Sequence, residues 1–108
     1  MNANEIHSQV LLGSHSQVKA ALEPLRLQVE AITGLPARYN GCGKIEVVIS
    51  DSKAGTTTKG NWAQIWKLAK AVRAALPEAD FKVSKPHRAW TDGGTFAIAY
   101  DSFTVSPR

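Results

Sequence analysis

The sequence predicts a single α+β domain in which two helices pack on one face of a small, mostly antiparallel sheet. Three observations lead to this prediction. Two segments repeat apolar residues at helical spacing, and several short segments alternate apolar and polar residues as strands do. The chain also ends in two strand-like segments joined by Asp92-Gly93-Gly94, a sequence typical of hairpin turns. The predicted order is α-β-α-β-β within residues 14–108, after a flexible N-terminal arm at residues 1–13.

The clearest helix covers residues 61–76. At 100° per residue its apolar side chains fall on one arc that includes Trp62 and Trp66, so we expect this arc to be the centre of the core. Arg73 falls within the same arc. Its guanidinium either extends to solvent, pairs with a carboxylate or points into a subunit interface.

The outer side of this helix is a candidate interface. Alanines make it small and smooth around its lysines, whereas a solvated helix face usually carries more charge. The alternative is simple helix propensity, since alanine is the best helix former. The candidate interface residues are Lys67, Lys70, Ala71 and Arg73.

The first helix is predicted to begin after Ser14, because Ser14 and Gln17 fit a capping box, and to end at Gly34. Its apolar stripe runs through Pro24 without interruption. Proline inside a helix removes a hydrogen bond. The pattern therefore leaves two alternatives, one kinked helix or a short turn followed by a helix that starts at Pro24.

Strands are predicted at residues 44–50, 81–84 and 95–106. Residues 37–43 form a loop or a short irregular strand. Residues 85–90 form an irregular segment or an edge strand, because Pro86 cannot donate to a ladder.

The last predicted strand changes phase. Phe96, Ile98 and Tyr100 share one face, whereas Phe103 and Val105 share the other. A bulge at residues 101–102 would turn both halves towards the core. Without a bulge the two halves face different partners, and one half is a candidate oligomer interface.

Composition limits the classes of function. The chain has 108 residues, a net charge of +4 and an isoelectric point near 9.5. This charge permits an acidic partner such as nucleic acid, and it also serves solubility alone. One cysteine excludes an intramolecular disulfide and suits a reducing compartment. The sequence shows neither a signal peptide nor a membrane-length apolar run, so we expect a cytoplasmic protein with no membrane partner.

The sequence predicts no catalytic, cofactor or metal site. Residues 55–60 lie between a strand and a helix, but Asn61 and Trp62 follow them where a phosphate-binding loop needs Lys and Ser or Thr. Glu46 and Asp51 have opposite strand parity and should not converge. The three histidines lie on separate predicted elements, and none has a second ligand at a metal-binding spacing. We therefore expect a protein that is not an enzyme and has no small-molecule substrate.

A basic run near the predicted hairpin is the candidate partner-binding site. Basic side chains beside an aromatic ring contact phosphates and stack on bases. The alternative is a solvated hairpin edge, where lysines discourage aggregation between sheets. The residues are Lys82, Lys85, His87, Arg88 and Trp90.

The second half of the chain resembles the tail-terminator and minor tail proteins of long-tailed bacteriophages. The resemblance covers residues 44–106 in pattern and element order. It is carried by Ile45-Glu-Val-Val-Ile-Ser50, a polar loop, a helix ending Lys70-Ala-Val-Arg-Ala-Ala-Leu76, a short strand, and Asp92-Gly-Gly-Thr-Phe-Ala-Ile-Ala-Tyr100 leading to Phe103-Thr-Val105. It implies a fold with a final long hairpin, assembly into rings that cap the tail tube, and no catalytic residues. Members of that family usually have an additional strand after the first helix, where this chain offers only residues 35–43.

Two hypotheses follow, ahead of an enzyme. The first is a non-enzymatic phage-type assembly protein that binds further copies of itself, in the cytoplasm of a bacterial host or in the virion. The second is a small basic binding module, such as a phage-encoded inhibitor that docks on a host protein or on nucleic acid.

Overall fold

The computed structural model describes residues 14–50, 59–92 and 97–108. These residues form two helices on a five-stranded sheet, which confirms the α+β class. The elements are α1 (His15–Thr33), β1 (Ala37–Tyr39), β2 (Ile45–Ser50), α2 (Lys59–Ala75), β3 (Phe81–Val83), β4 (His87–Asp92) and β5 (Ala97–Pro107). The predicted arm at residues 1–13, most of the loop at 55–60 and the turn glycines at 93–94 lie outside the described residues.

Helix α1 is continuous through its proline. Ser14 and Gln17 form the expected capping box, and Gly34 ends the helix with a φ of 71° in the left-handed region. Pro24 lies inside this single helix, on its exposed side. The alternative of a turn followed by a helix starting at Pro24 is therefore wrong.

Helix α2 buries the predicted arc but not its tryptophans. Ile65, Ala69 and Val72 are buried, whereas Trp62 and Trp66 are only half-buried. The two indole rings meet edge to face, with centroids 6.0 Å apart. They lie towards one flank of the arc, so they border the core instead of forming its centre.

The sheet is antiparallel at every described pairing. Its order is β1-β2-β5-β3, and β4 also pairs with β5. Strands β3 and β4 follow one another along the same side of β5, opposite β2. The predicted order does not include β1 and β4 as separate strands. Strand β1 lies in the segment predicted as a loop or a short irregular strand, and β4 begins in the segment predicted as irregular or as an edge strand.

The predicted irregularity lies in the neighbouring strand. Strand β5 pairs with β2 in one unbroken register through Asp101 and Ser102. On its other side Val83 pairs with Val105 and His87 with Ser102, so residues 84–86 lie opposite only residues 103–104. This is the residue count of a bulge, and it includes Pro86. Strand β5 therefore has no bulge at residues 101–102. Tyr100 lines the face of the sheet opposite the core, while Phe103 and Val105 lie in the core, as the second alternative held. Phe96 and the side chain of Ile98 lie outside the part of the chain that the structure describes.

The core lies between the helices and one face of the sheet. Phe103 and Val105 of β5 pack there with apolar residues of both helices and of β2. The fully buried members with the largest side chains include Phe103, Leu22, Leu25, Ile45 and Ile65. We call the opposite face of the sheet, which neither helix covers, the open face. Neither described helix is long and apolar enough to cross a membrane.

Candidate interaction surfaces

The predicted basic run is divided between two faces of the molecule. Lys82 lies between the two core-facing residues of β3, and His87 borders a depression on the open face. Arg88 instead reaches the helix side, where it contacts Asp101 and Trp62. Lys85 is exposed in the irregular segment between β3 and β4. The side chain of Trp90 is outside the part of the chain that the structure describes.

Arg88 forms a half-buried ion pair with the carboxylate of Asp101. Its Nε lies 2.7 Å and its Nη2 3.2 Å from the two carboxylate oxygens of Asp101, a two-pronged geometry. Asp101 is 0% exposed, while the side chain of Arg88 is 30% exposed. The guanidinium carbon also lies 4.9 Å from the centroid of the Trp62 ring. The hydrogen bond to Asp101 raises the pKa of Arg88 above its ordinary value. Arg88 thus fastens β4 to β5 and to α2, and the structure gives it a role in stability.

The outer side of α2 is exposed, as expected. Lys67, Lys70 and Ala71 all lie there. The helix contains four cationic residues and no acidic one. Two copies packed through this same face would place lysines against lysines, which is unfavourable. This face therefore suits an acidic surface better than its own copy.

The open face of the sheet carries a shallow depression of about 320 Å³. Arg38 and Glu46 form an ion pair of 2.7 Å at one end. The lining residues are Arg38, Glu46, Val48, His87, Ala89, Tyr100 and Ser102. A polar outer face is normal for an antiparallel sheet, so the depression by itself does not indicate a ligand.

One edge of the sheet is closed by α1. The backbone N–H of Ala37 in β1 donates to Glu30 Oε2 at 2.8 Å, and Arg26 Nη1 lies 3.4 Å from the carbonyl oxygen of Ala37. Arg26 also bridges Glu23 and Glu30, and this contact lowers the pKa of Glu23. Free N–H and C=O groups on an edge strand are a template for pairing with another chain. Side chains of α1 occupy those groups at Ala37.

The other edge is closed in the same way at β3. Arg73 Nη2 of α2 donates to the carbonyl oxygen of Val83 at 3.3 Å. This contact accounts for the position of Arg73 at the margin of an apolar arc: the side chain extends past the core to the sheet edge. Each helix thus sends one arginine to the edge strand beside it.

Replacing Glu30 with Ala should destabilise the fold by about 1 kcal/mol, because the half-buried N–H of Ala37 loses its acceptor. Glu30→Gln is the matched control, since its amide oxygen can still accept. Urea unfolding of both variants checks this. Equal midpoints for the two variants would contradict the role given to Glu30.

The described residues contain no group of three His, Cys, Asp or Glu side chains that could hold a metal ion. The chain matches no protein-family model, and searches of curated proteins and of solved structures also find no match.

Proposed function

We propose that this chain is a non-enzymatic assembly protein that works by binding further copies of itself, in the manner of phage tail-terminator proteins. Such a protein would act in a bacterial host cell or in the virion. The proposal needs a surface that one copy leaves incomplete, and the pairings of β5 with the other described strands are consistent with one.

The observation that supports the proposal is the uneven cover of β5. Strand β2 pairs only with its residues 100–105, whereas β4 pairs with residues 97–102. Among the described strands, β4 alone therefore pairs with residues 97–99. A two-stranded ribbon is at best marginally stable in water. A neighbouring copy that extends this part of the sheet would add further support to the ribbon.

The element order also supports the proposal. Within the described residues a helix, two strands, a second helix, the short strand β3 and the long final pair β4 and β5 follow one another, in an order similar to that of the family that the chain resembles. Strand β1 occupies the segment where that family has its additional strand. The molecule extends 44 × 29 × 18 Å, a flat shape with helices on one side of the sheet.

Light scattering coupled to size exclusion tests the proposal. We expect a defined oligomer at micromolar to millimolar concentration, and electron microscopy should show whether it closes into a ring. A strict monomer throughout this range would overturn the proposal.

A second candidate is a small basic module that binds nucleic acid or an acidic host protein. Lys82, Lys85 and His87 are exposed, and none forms an ion pair within the described part of the chain. This observation favours an acidic partner. Because Arg88 already pairs with Asp101, one cation fewer is available to an acidic partner.

The double variant Lys82→Ala, Lys85→Ala separates the candidates in a gel-shift salt series. If nucleic acid binds here, the logarithm of affinity should fall with that of salt. The variant should then reduce the slope by about 2, roughly 0.9 for each lysine that no longer neutralises a phosphate. The control is Lys19→Ala, on the far helix. The absence of any shift at low salt would leave only a protein partner for this candidate.

A further inference from the structure

The strand pairings determine which residues of β4 point their backbone N–H and C=O groups towards β5 and which point them away from the sheet. The N–H of Ala37 points away from the sheet towards Glu30, so its neighbour Arg38 must exchange the ladder hydrogen bonds with Glu46. Residues alternate in the side to which their N–H and C=O groups point. Glu46 therefore points its backbone groups to β1, and the odd-numbered residues of β2 point theirs to β5. These residues pair with odd-numbered residues of β5, so the backbone groups of odd-numbered residues in β5 point to β2 and those of even-numbered residues point to β3 and β4.

Two hydrogen bonds confirm this assignment independently. The N–H of Ser84 donates to the carbonyl of Thr104 in β5, and the N–H of Arg108, directly after β5, donates to the carbonyl of Asp80. Even-numbered residues of β5 thus do bond on that side. Through the β4 register, His87, Ala89 and Thr91 point their backbone groups inward to β5. The backbone N–H and C=O groups of Arg88, Trp90 and Asp92 therefore point outward, along the edge of β4 that no other described strand pairs with.

This edge differs from the other two. Glu30 and Arg26 occupy the outward groups of Ala37, and Arg73 occupies the outward carbonyl of Val83. No hydrogen bond from a described residue reaches the backbone N–H or C=O of Arg88. Side chains of the helices bond to the edges at β1 and β3, and the contacts described for Arg26 and Arg73 do not include β4.

We propose that β4 pairs with β4 of a second copy, antiparallel and about a two-fold axis at Trp90, and so extends the sheet across two molecules. This inference rests on the proposed self-association and names the surface that performs it. Residues whose backbone groups point outward must pair with residues of the other copy whose backbone groups also point outward. Only the register centred on Trp90 pairs Arg88, Trp90 and Asp92 all at once. It gives three hydrogen-bonded pairs, about six hydrogen bonds in total. Copies joined in this way form a closed, self-complementary contact.

The sequence of β4 suits a second copy of itself. The register places position 88 opposite position 92 of the other copy, a basic residue opposite an acidic one, on both sides of the axis. Arg88 holds Asp101 through Nε and Nη2, so its Nη1 would have to supply the contact with the other copy. Opposite charges directly across two strands favour pairing. An unrelated extended peptide would lack this built-in match, and the lysine-bearing outer side of α2 would repel its own copy.

Amide hydrogen exchange of the unaltered protein, resolved by residue, tests the pairing. In the monomer, obtained by dilution, the amides of Arg88, Trp90 and Asp92 should exchange fast and those of His87, Ala89 and Thr91 slowly. In the oligomer all six should exchange slowly. An oligomer in which the outward amides of β4 still exchange as fast as in the monomer would overturn the inference.

Trp90→Pro and Trp90→Val form a matched pair. Both remove the indole, but only proline removes the outward N–H, and it leaves the inward ladder to β5 intact. Because each two-fold contact loses two hydrogen bonds, Trp90→Pro should weaken association at least about tenfold relative to Trp90→Val. Equal dissociation constants for the two would contradict the pairing.

Ala71→Glu distinguishes the two surfaces. If β4 forms the contact, this variant associates like the unaltered chain. If it dissociates while Trp90→Pro does not, the outer side of α2 is the interface, the inference at β4 fails and the proposed self-association stands. If the unaltered chain is a monomer at every concentration, the proposed function itself fails.

Discussion

Replacing Phe103 with Ala should lower the free energy of unfolding by about 4 kcal/mol, the largest effect of any single substitution considered for this chain. Phe103 is 0% exposed and is the largest fully buried side chain among the described residues. It lies where β5 pairs with Val47 of β2 and packs among core residues of both helices. Because native domains unfold with a free energy of only about 5–15 kcal/mol, this loss is a large fraction of the total. Urea unfolding followed by circular dichroism measures the change.

Phe81→Ala is the matched control for this prediction. Phe81 lies on the same face of the sheet but at its edge, and it is only half-buried. Its truncation removes less apolar surface from the core and leaves a site that water can fill, so we expect less than half the effect. Similar losses of stability for the two variants would mean that the core is not centred on β5.

Replacing Arg88 with Ala should cause the second largest loss of stability, because Asp101 would keep a fully buried carboxylate without its partner. Leaving a buried charge unpaired costs about 3 kcal/mol. Arg88→Lys should recover only part of the loss, since an ammonium cannot make the two-pronged contact. Thermal and urea unfolding of both variants provide the measurement.

The double variant Arg88→Ala, Asp101→Ala decides the cause. If the loss comes from the stranded carboxylate, removing Asp101 as well should return part of the stability. A double variant as unstable as the sum of the two single variants would show that the two residues act independently, and the account of this pair would then be wrong.

The helices and the core could be predicted from the sequence, because their signals are local. The capping box at Ser14, the left-handed glycine at position 34 and the apolar stripes each depend on neighbours within a few residues. Whether the helix continues through Pro24 could not be decided from the sequence, because proline removes a backbone hydrogen bond in either alternative. The stripe on both sides of it, which packs on the sheet, keeps the helix in one piece.

The pairings could not be predicted, because they depend on register between distant residues. The phase change of β5 is visible in the sequence, yet the extra residue that accompanies it lies at residues 84–86 of the neighbouring strand. For the same reason the sequence predicts a single surface for the basic run at residues 82–90. Only the register of β4 shows that Arg88 lies opposite Asp101 while His87 faces the other side.

Arg73 shows how a local pattern conceals a contact at the sheet edge. Its position on the helical arc suggested three destinations, namely solvent, a carboxylate or an interface. The structure gives a fourth, the carbonyl of Val83, which lies ten positions along the chain in another element. A search for arginines on the margin of an apolar arc, in helices that flank edge strands, would have found both Arg26 and Arg73.

The central claim is that this protein works by binding copies of itself, and the mass of the unaltered chain in solution tests it most directly. Sedimentation equilibrium across a wide concentration range should give a defined oligomer with an even number of copies, because β4 pairing joins copies two at a time. A single species with the mass of one chain at every concentration would contradict the claim.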